Sequence, residues 1–208
     1  MPPNDRESGS VNRTLPPLEG LSAWSDPDKV LLVSALVLPF SIAWLVRTIA
    51  LGGLPDSAPY MDREFLPTHV RFLWLQTVGH AALVAAALVL RRRVRKSPLL
   101  VHAEIQFWFL CASYTLYSVG LFTSPFIVQV LVLPVVGYLI FDARAMHLGL
   151  ATFVGGITLA WLLPWMGIAP YAPLLARAPF EDGRLQTGWM VANGLPSLLM
   201  VGVGLLVN

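Results

Sequence analysis

Two stretches carry side chains able to do chemistry within an otherwise apolar chain. The first is His80, with Gln76 one helical turn before it on the same face. His80 falls near the middle of an apolar run, and a histidine at membrane depth is a functional residue by default. The other reading is an imidazole satisfied by a neighbouring hydroxyl or carbonyl. The second stretch opens with His102, Glu104 and Gln106 and continues through Cys111, Tyr114, Thr115, Tyr117 and Ser118. Within it Phe107, Cys111, Tyr114 and Ser118 follow 4-3-4 spacing and share one helical face. That stripe should point inward, because polar groups facing lipid are costly. It fits the wall of a pocket offering hydroxyl and thiol contacts to an amphiphile with a polar head. It fits interhelical hydrogen bonding and small-residue packing as well, and the sequence leaves both open.

Other chemistries find less support. Two axial histidines on one haem must lie at one depth. His80 lies about 15 Å and His102 about 5 Å from the same end of their runs, which argues against that pairing. His102, Glu104, Asp142 and His147 could approach one another near one membrane face, but none of their spacings is a metal-ligand motif. HExxH, GxSxG and glycine-rich phosphate loops are absent. Asp142-Ala143-Arg144 shares the Asp/Arg pairing of phospholipid synthases without their accompanying aspartates. The lone Cys111 lies inside an apolar run, which leaves no disulfide framework. No catalytic residue, resident metal or cofactor is assigned, and an enzyme with a site near His102, Glu104 and Asp142 is the least favoured class.

The elements that position these residues follow from composition. Of 208 residues, 56% are hydrophobic and 12% charged, about half the charge of an average soluble domain, and mean hydropathy is +0.66. With apolar runs of about twenty residues, this is the composition of a polytopic membrane protein. The expected fold is all-α, a bundle of six transmembrane helices. The spans are read at 30–51, 68–90, 99–122, 126–141, 146–167 and 187–207. Residues 1–29 form a cytoplasmic N-terminal segment, partly disordered and unlike a signal peptide, and residues 30–208 the membrane domain. Trp24 is placed at the headgroups. Ser25-Asp26-Pro27-Asp28 reads as a helix start, with a cap residue, an early proline and first-turn acid.

Orientation hangs on Arg91-Arg92-Arg93-Val94-Arg95-Lys96, which holds five of the fourteen basic residues. Short basic loops stay in the cytoplasm. With the hexapeptide inside, nine Lys and Arg lie on the inner side and three (Arg63, Arg177, Arg184) on the outer. Arg47 and Arg71 sit near outer span ends and snorkel to the headgroups. Both termini are therefore expected in the cytoplasm, and the charge bias marks an inner membrane rather than a nucleic-acid partner. The outer loops 52–67 and 168–186 read as plain connections. Pro39, Pro134 and Pro196 fall within spans, and Pro164 near the end of one, where each removes a backbone hydrogen bond.

Three stretches together resemble a known family. They are Leu38-Pro39-Phe40-Ser41-Ile42-Ala43-Trp44, the polar third span, and Phe141-Asp142-Ala143-Arg144-Ala145-Met146. The set resembles the six-helix sensor region of bacterial histidine kinases that detect long-chain α-hydroxyketones in quorum sensing. Comparable modules precede class III adenylate cyclases and diguanylate cyclases. The resemblance implies a dimeric sensor or anchor in a bacterial inner membrane. Its ligand would be small and lipophilic, and its sixth helix would lead into a cytoplasmic effector. The chain ends at Asn208 directly after the sixth span, as a module of something longer would. The expected ligand contacts are His80, Gln76, Phe107, Cys111, Tyr114, Ser118, Pro134 and Asn193, with Pro39 and Pro196 passing the signal. Membrane lipids are the other expected partner. A small transporter or channel subunit, with a polar path through His80 and the third span, is the alternative.

Overall fold

The computed structural model describes residues 23–53, 61–120 and 134–175, and the backbone of 180–181 and 184–185. Four long helices dominate: α1 (Asp26–Gly52), α2 (Leu66–Leu90), α3 (Pro98–Val119) and α4 (Ala143–Trp165). Residues 134–140 are also helical. The only strands among the described residues, β1 (Phe180–Glu181) and β2 (Arg184–Leu185), form a two-residue antiparallel ladder. All four long helices are long and apolar enough to cross a membrane. Many of their large apolar side chains are exposed, among them Val46, Leu75, Val78, Leu110, Val154 and Leu159. A soluble bundle would bury such a set, whereas lipid-facing helix surfaces require it. The four helices are consistent with a multi-pass membrane protein. Of the six expected spans, the sixth and the first half of the fourth lie outside the described residues, as do both termini.

Local chemistry sets the helix ends. The Ser25 hydroxyl caps α1 by accepting from the Asp28 amide at 3.3 Å, and Pro27 occupies the first turn. α1 then runs unbroken through Pro39, which has no amide hydrogen for the Ala35 carbonyl. Asp142 caps α4, its carboxylate accepting from the Arg144 and Ala145 amides at 2.9 and 3.1 Å. α3 stops at Gly120, whose φ of 90° is a conformation that side chains disfavour. Compared with the expected spans, α1 and α4 begin several residues earlier, because these capping residues are polar and hydropathy discounts them.

The contacts fix the helix directions. Gln76 of α2 reaches Ser41 of α1, and Arg91 at the end of α2 meets Asp28 at the start of α1, so this pair is antiparallel. α2 and α3 are antiparallel too, with His80 against Phe107 and His69 near Tyr114. α4 runs parallel to α3. Thr152 bonds Gln106, Phe153 meets Phe109, and Gly156 lies against Ser113. Gly120 and Asp142 therefore lie at opposite ends of the bundle. Gly149 and Gly156, seven residues apart, turn one small-residue face of α4 to α3, as close packing between membrane helices requires.

Most of the apolar core lies in the half of the bundle nearer the basic hexapeptide, and Ala112 and Leu116 of α3 extend it toward the other end. The core also includes Val30 and Val33 of α1, Ala87 of α2, Leu100, Val101, Ile105, Trp108 and Phe109 of α3, and Ile140, Phe141, Met146 and Phe153. At the opposite end the loops 52–67 and 168–186 are tied together through their described residues. Met61 and Leu175 form an isolated antiparallel bridge, the Asp62 amide donates to the Leu174 carbonyl at 2.9 Å, and the Leu174 amide donates to the Ser118 carbonyl at 3.0 Å. These loops are thus not independent connections. They pair across the chain and satisfy one of the carbonyls at the end of α3.

Candidate functional site

α3 is the most polar of the four long helices and also the most buried. Its polar side chains consequently face protein rather than lipid. Glu104, Ser113, Thr115 and Ser118 are all buried. Three of these are hydroxyls that satisfy themselves on the preceding turn. Ser113 donates to the Phe109 carbonyl, Thr115 to the Cys111 carbonyl and Ser118 to the Thr115 carbonyl, each at 2.9 Å. Ser118 thus spends its donor within α3, and Cys111, two turns earlier, is buried as a small core residue.

Phe107 and Tyr114, the other two members of the stripe, face α2. The His80 ring meets Phe107 edge-on at 5.0 Å, and Phe72 stacks on Tyr114 at 3.7 Å. His69 lies parallel to Tyr114 with ring centroids 6.0 Å apart. On the α1 side, the Gln76 amide donates to the Ser41 hydroxyl at 3.3 Å. His69, Leu73, Gln76 and His80 repeat on α2 the 4-3-4 spacing of the α3 stripe. Of these stripes, His69 and His80 of α2 meet Tyr114 and Phe107 of α3, while Gln76 turns its amide to α1.

This seam is rich in polar atoms that lack partners. His69 and His80 are completely buried. Among the described residues, neither nitrogen of either ring has a hydrogen-bond partner, nor has the Gln76 Oε1 or the Tyr114 hydroxyl. Leaving such groups dry and unpaired costs about 1–3 kcal/mol each, and in lipid there is no water to offset it. The arrangement suits a guest that presents both a donor and an acceptor between α2 and α3.

A second buried polar group sits nearer the basic end. Glu104 is completely buried within the apolar core, and the Ser34 hydroxyl of α1 donates to its Oε2 at 2.5 Å. Its Oε1 has no partner among the described residues. The geometrically possible but disfavoured cluster of His102, Glu104, Asp142 and His147 is not assembled around it. Among the described residues no three His, Cys, Asp or Glu side chains lie close enough to hold a metal ion. Asp142 is exposed and caps α4, and the His147 ring lies edge-on to Tyr138 at 5.6 Å.

No family model, curated protein or solved structure matches this chain.

The remaining expected site residues divide between described and undescribed segments. Pro134 is half-buried at the start of the 134–140 helix, and Pro39 is exposed on α1. Asn193 and Pro196 lie outside the described residues. Arg71 is exposed, while the Arg47 guanidinium stacks over the Trp44 ring at 5.0 Å. Arg47 is therefore held by an aromatic neighbour on its own helix. His69 and the burial of Glu104 escaped the sequence reading. The 4-3-4 spacing of α2 carried the signal for the first.

Proposed function

We propose that this chain is a six-helix sensor module of a bacterial signalling protein in the inner membrane, with both termini cytoplasmic. A small lipophilic ligand with a polar head binds in the seam between α2 and α3. The sixth helix passes the resulting change in packing to a cytoplasmic effector, a histidine kinase or a nucleotide cyclase, in a homodimer. The observation that carries this reading is the set of buried atoms on His69, Gln76, His80 and Tyr114 that have no partner among the described residues. An α-hydroxyketone supplies a carbonyl acceptor beside a hydroxyl that both donates and accepts, and its alkyl chain matches the aromatic lining from Phe72 and Phe107. Such a ligand shifts the helices only if it binds two packings with different affinity.

The test is binding of a long-chain α-hydroxyketone to the detergent-purified chain, read as a rise in thermal midpoint and by calorimetry. His80→Leu and Tyr114→Phe are each expected to weaken binding roughly tenfold, the worth of one buried hydrogen bond. The alkane of equal length should not bind. Equal affinity of the parent chain and both variants would remove the seam as the site.

One observation favours the transport alternative. Glu104, His80, Gln76 and His69 stand at about 9, 15, 21 and 31 Å from the basic end, a succession of polar groups along the bundle. A conducting path would show as proton or solute flux into liposomes containing the chain, lost in His80→Leu. A sensor shows no such flux.

A further inference from the structure

At the basic end a groove of about 890 Å³ opens between the start of α1 and the loop that follows α2. One wall is the α1 side, with Trp24, Ser25 and Asp28 followed by Leu31, Leu32 and Ala35. Asp28, Leu31, Leu32 and Ala35 fall at i, i+3, i+4 and i+7, a single helical face about 10 Å long. The other wall is Arg91 to Arg95. The two walls are fastened together. Asp26 donates its amide to the Arg95 carbonyl at 3.0 Å and accepts the Ser97 amide on its carboxylate at 2.7 Å. The Arg95 guanidinium donates to the Ala23 carbonyl at 3.3 Å, and Arg91 pairs with Asp28 at 3.4 Å. The loop is thereby held as a rigid rim, and the groove is preformed.

The charges in this rim do not balance. Four arginines line the groove against one carboxylate, Asp28. Arg91 and Arg95 are committed to the contacts above. Among the described residues the Arg92 and Arg93 guanidinium groups have no hydrogen-bond or ion-pair partner, and both are exposed. The free cations stand at the helix end, and the apolar face of Leu31, Leu32 and Ala35 runs from them into the bundle's membrane-facing length. Trp24, about half exposed, lies at the same level as the arginines, where an amphipathic ring belongs among headgroups.

We infer that this groove is a binding site for one anionic glycerophospholipid, its phosphate on Arg92 and Arg93 and an acyl chain along Leu31, Leu32 and Ala35. A soluble anion would use the cations and leave the apolar wall wet. A zwitterionic lipid would use the wall without neutralising the excess charge. The site rests on the membrane placement of the helices and is independent of any ligand between α2 and α3.

The experiment is native mass spectrometry of the purified full chain in detergent, titrated with dioleoylphosphatidylglycerol, dioleoylphosphatidylcholine or glycerol phosphate. One phosphatidylglycerol is expected to remain bound per chain in preference to phosphatidylcholine. Combined Arg92→Gln and Arg93→Gln should weaken it about tenfold or more. Ala35→Trp, which fills the apolar wall and leaves the charges, should weaken it as well. Both sets of positions are exposed, and unchanged helical circular dichroism verifies that the variants fold. Glycerol phosphate should fail to compete. Competition by glycerol phosphate at equal concentration, or indifference to Ala35→Trp, would overturn the proposal in favour of a soluble-anion site. Several equivalent phosphatidylglycerol adducts, insensitive to the arginine variants, would reduce the groove to diffuse surface charge and equally overturn it.

Discussion

Gly149→Val is expected to destabilise the bundle by about 1–3 kcal/mol, the usual cost of overpacking a filled core. A Cβ at position 149 would overlap the Ile105 Cγ2 and come within 2.9 Å of the Phe109 ring. Both neighbours are completely buried. Ile105 is β-branched and stiff at χ1, and Phe109 is packed against Phe153 at 5.1 Å, so neither has room to yield. α4 must then move away from α3, and the Thr152–Gln106 hydrogen bond one turn further on lengthens with it. Ile105→Ala alone should also destabilise, by about 2–5 kcal/mol. Together the two changes should cost less than their sum by about 1–2 kcal/mol, because the cavity of one accommodates the methyl groups of the other. Reversible unfolding of the detergent-solubilised protein measures all three. Strict additivity would mean that α4 does not pack on α3 in the parallel register that Gly149 and Gly156 define.

That register illustrates which parts of the molecule the sequence exposes. Helix existence follows from apolar length, and the start of α1 follows from Ser25, Asp26, Pro27 and Asp28, whose capping chemistry is local. The inward face of α3 is legible because Phe107, Cys111, Tyr114 and Ser118 repeat at helical spacing. What the face meets is another matter. His69 stands two residues after Pro67, at a hydropathy boundary where a polar residue looks like part of a headgroup-level end. Only its 4-3-4 relation to Leu73, Gln76 and His80 places it in the seam. Glu104 fails for a related reason. It lies about 9 Å into α3, and a polar side chain at that depth ordinarily reaches the headgroups. Its actual surroundings depend on Ser34, seventy residues earlier. The bridge from Met61 to Leu175 and the clamp between Asp26 and the hexapeptide are backbone pairings between distant segments, for which no residue type is a marker.

The Ser34–Glu104 pair carries the second large effect. Ser34→Ala removes the only hydrogen bond to the Glu104 side chain among the described residues. The carboxyl group is then buried without a partner, at an expected loss of about 1–3 kcal/mol. Glu104→Gln keeps an acceptor for the Ser34 hydroxyl and should cost less. The informative variant is the double replacement, Ser34→Ala with Glu104→Leu. Exchanging a buried polar pair for apolar groups of similar volume is often neutral or stabilising, whereas removing one member is not. The double variant is therefore expected to unfold at or above the midpoint of the parent chain and well above Ser34→Ala. If Ser34→Ala proves neutral, Glu104 has a partner beyond α1, and the pair is not a unit. If the apolar double variant is the more stable, Glu104 is held in the core against the interest of folding. A carboxyl group kept at that disadvantage, one turn from the depth of His80, is then the first residue to test for a role in signalling or conduction, because packing no longer accounts for its presence.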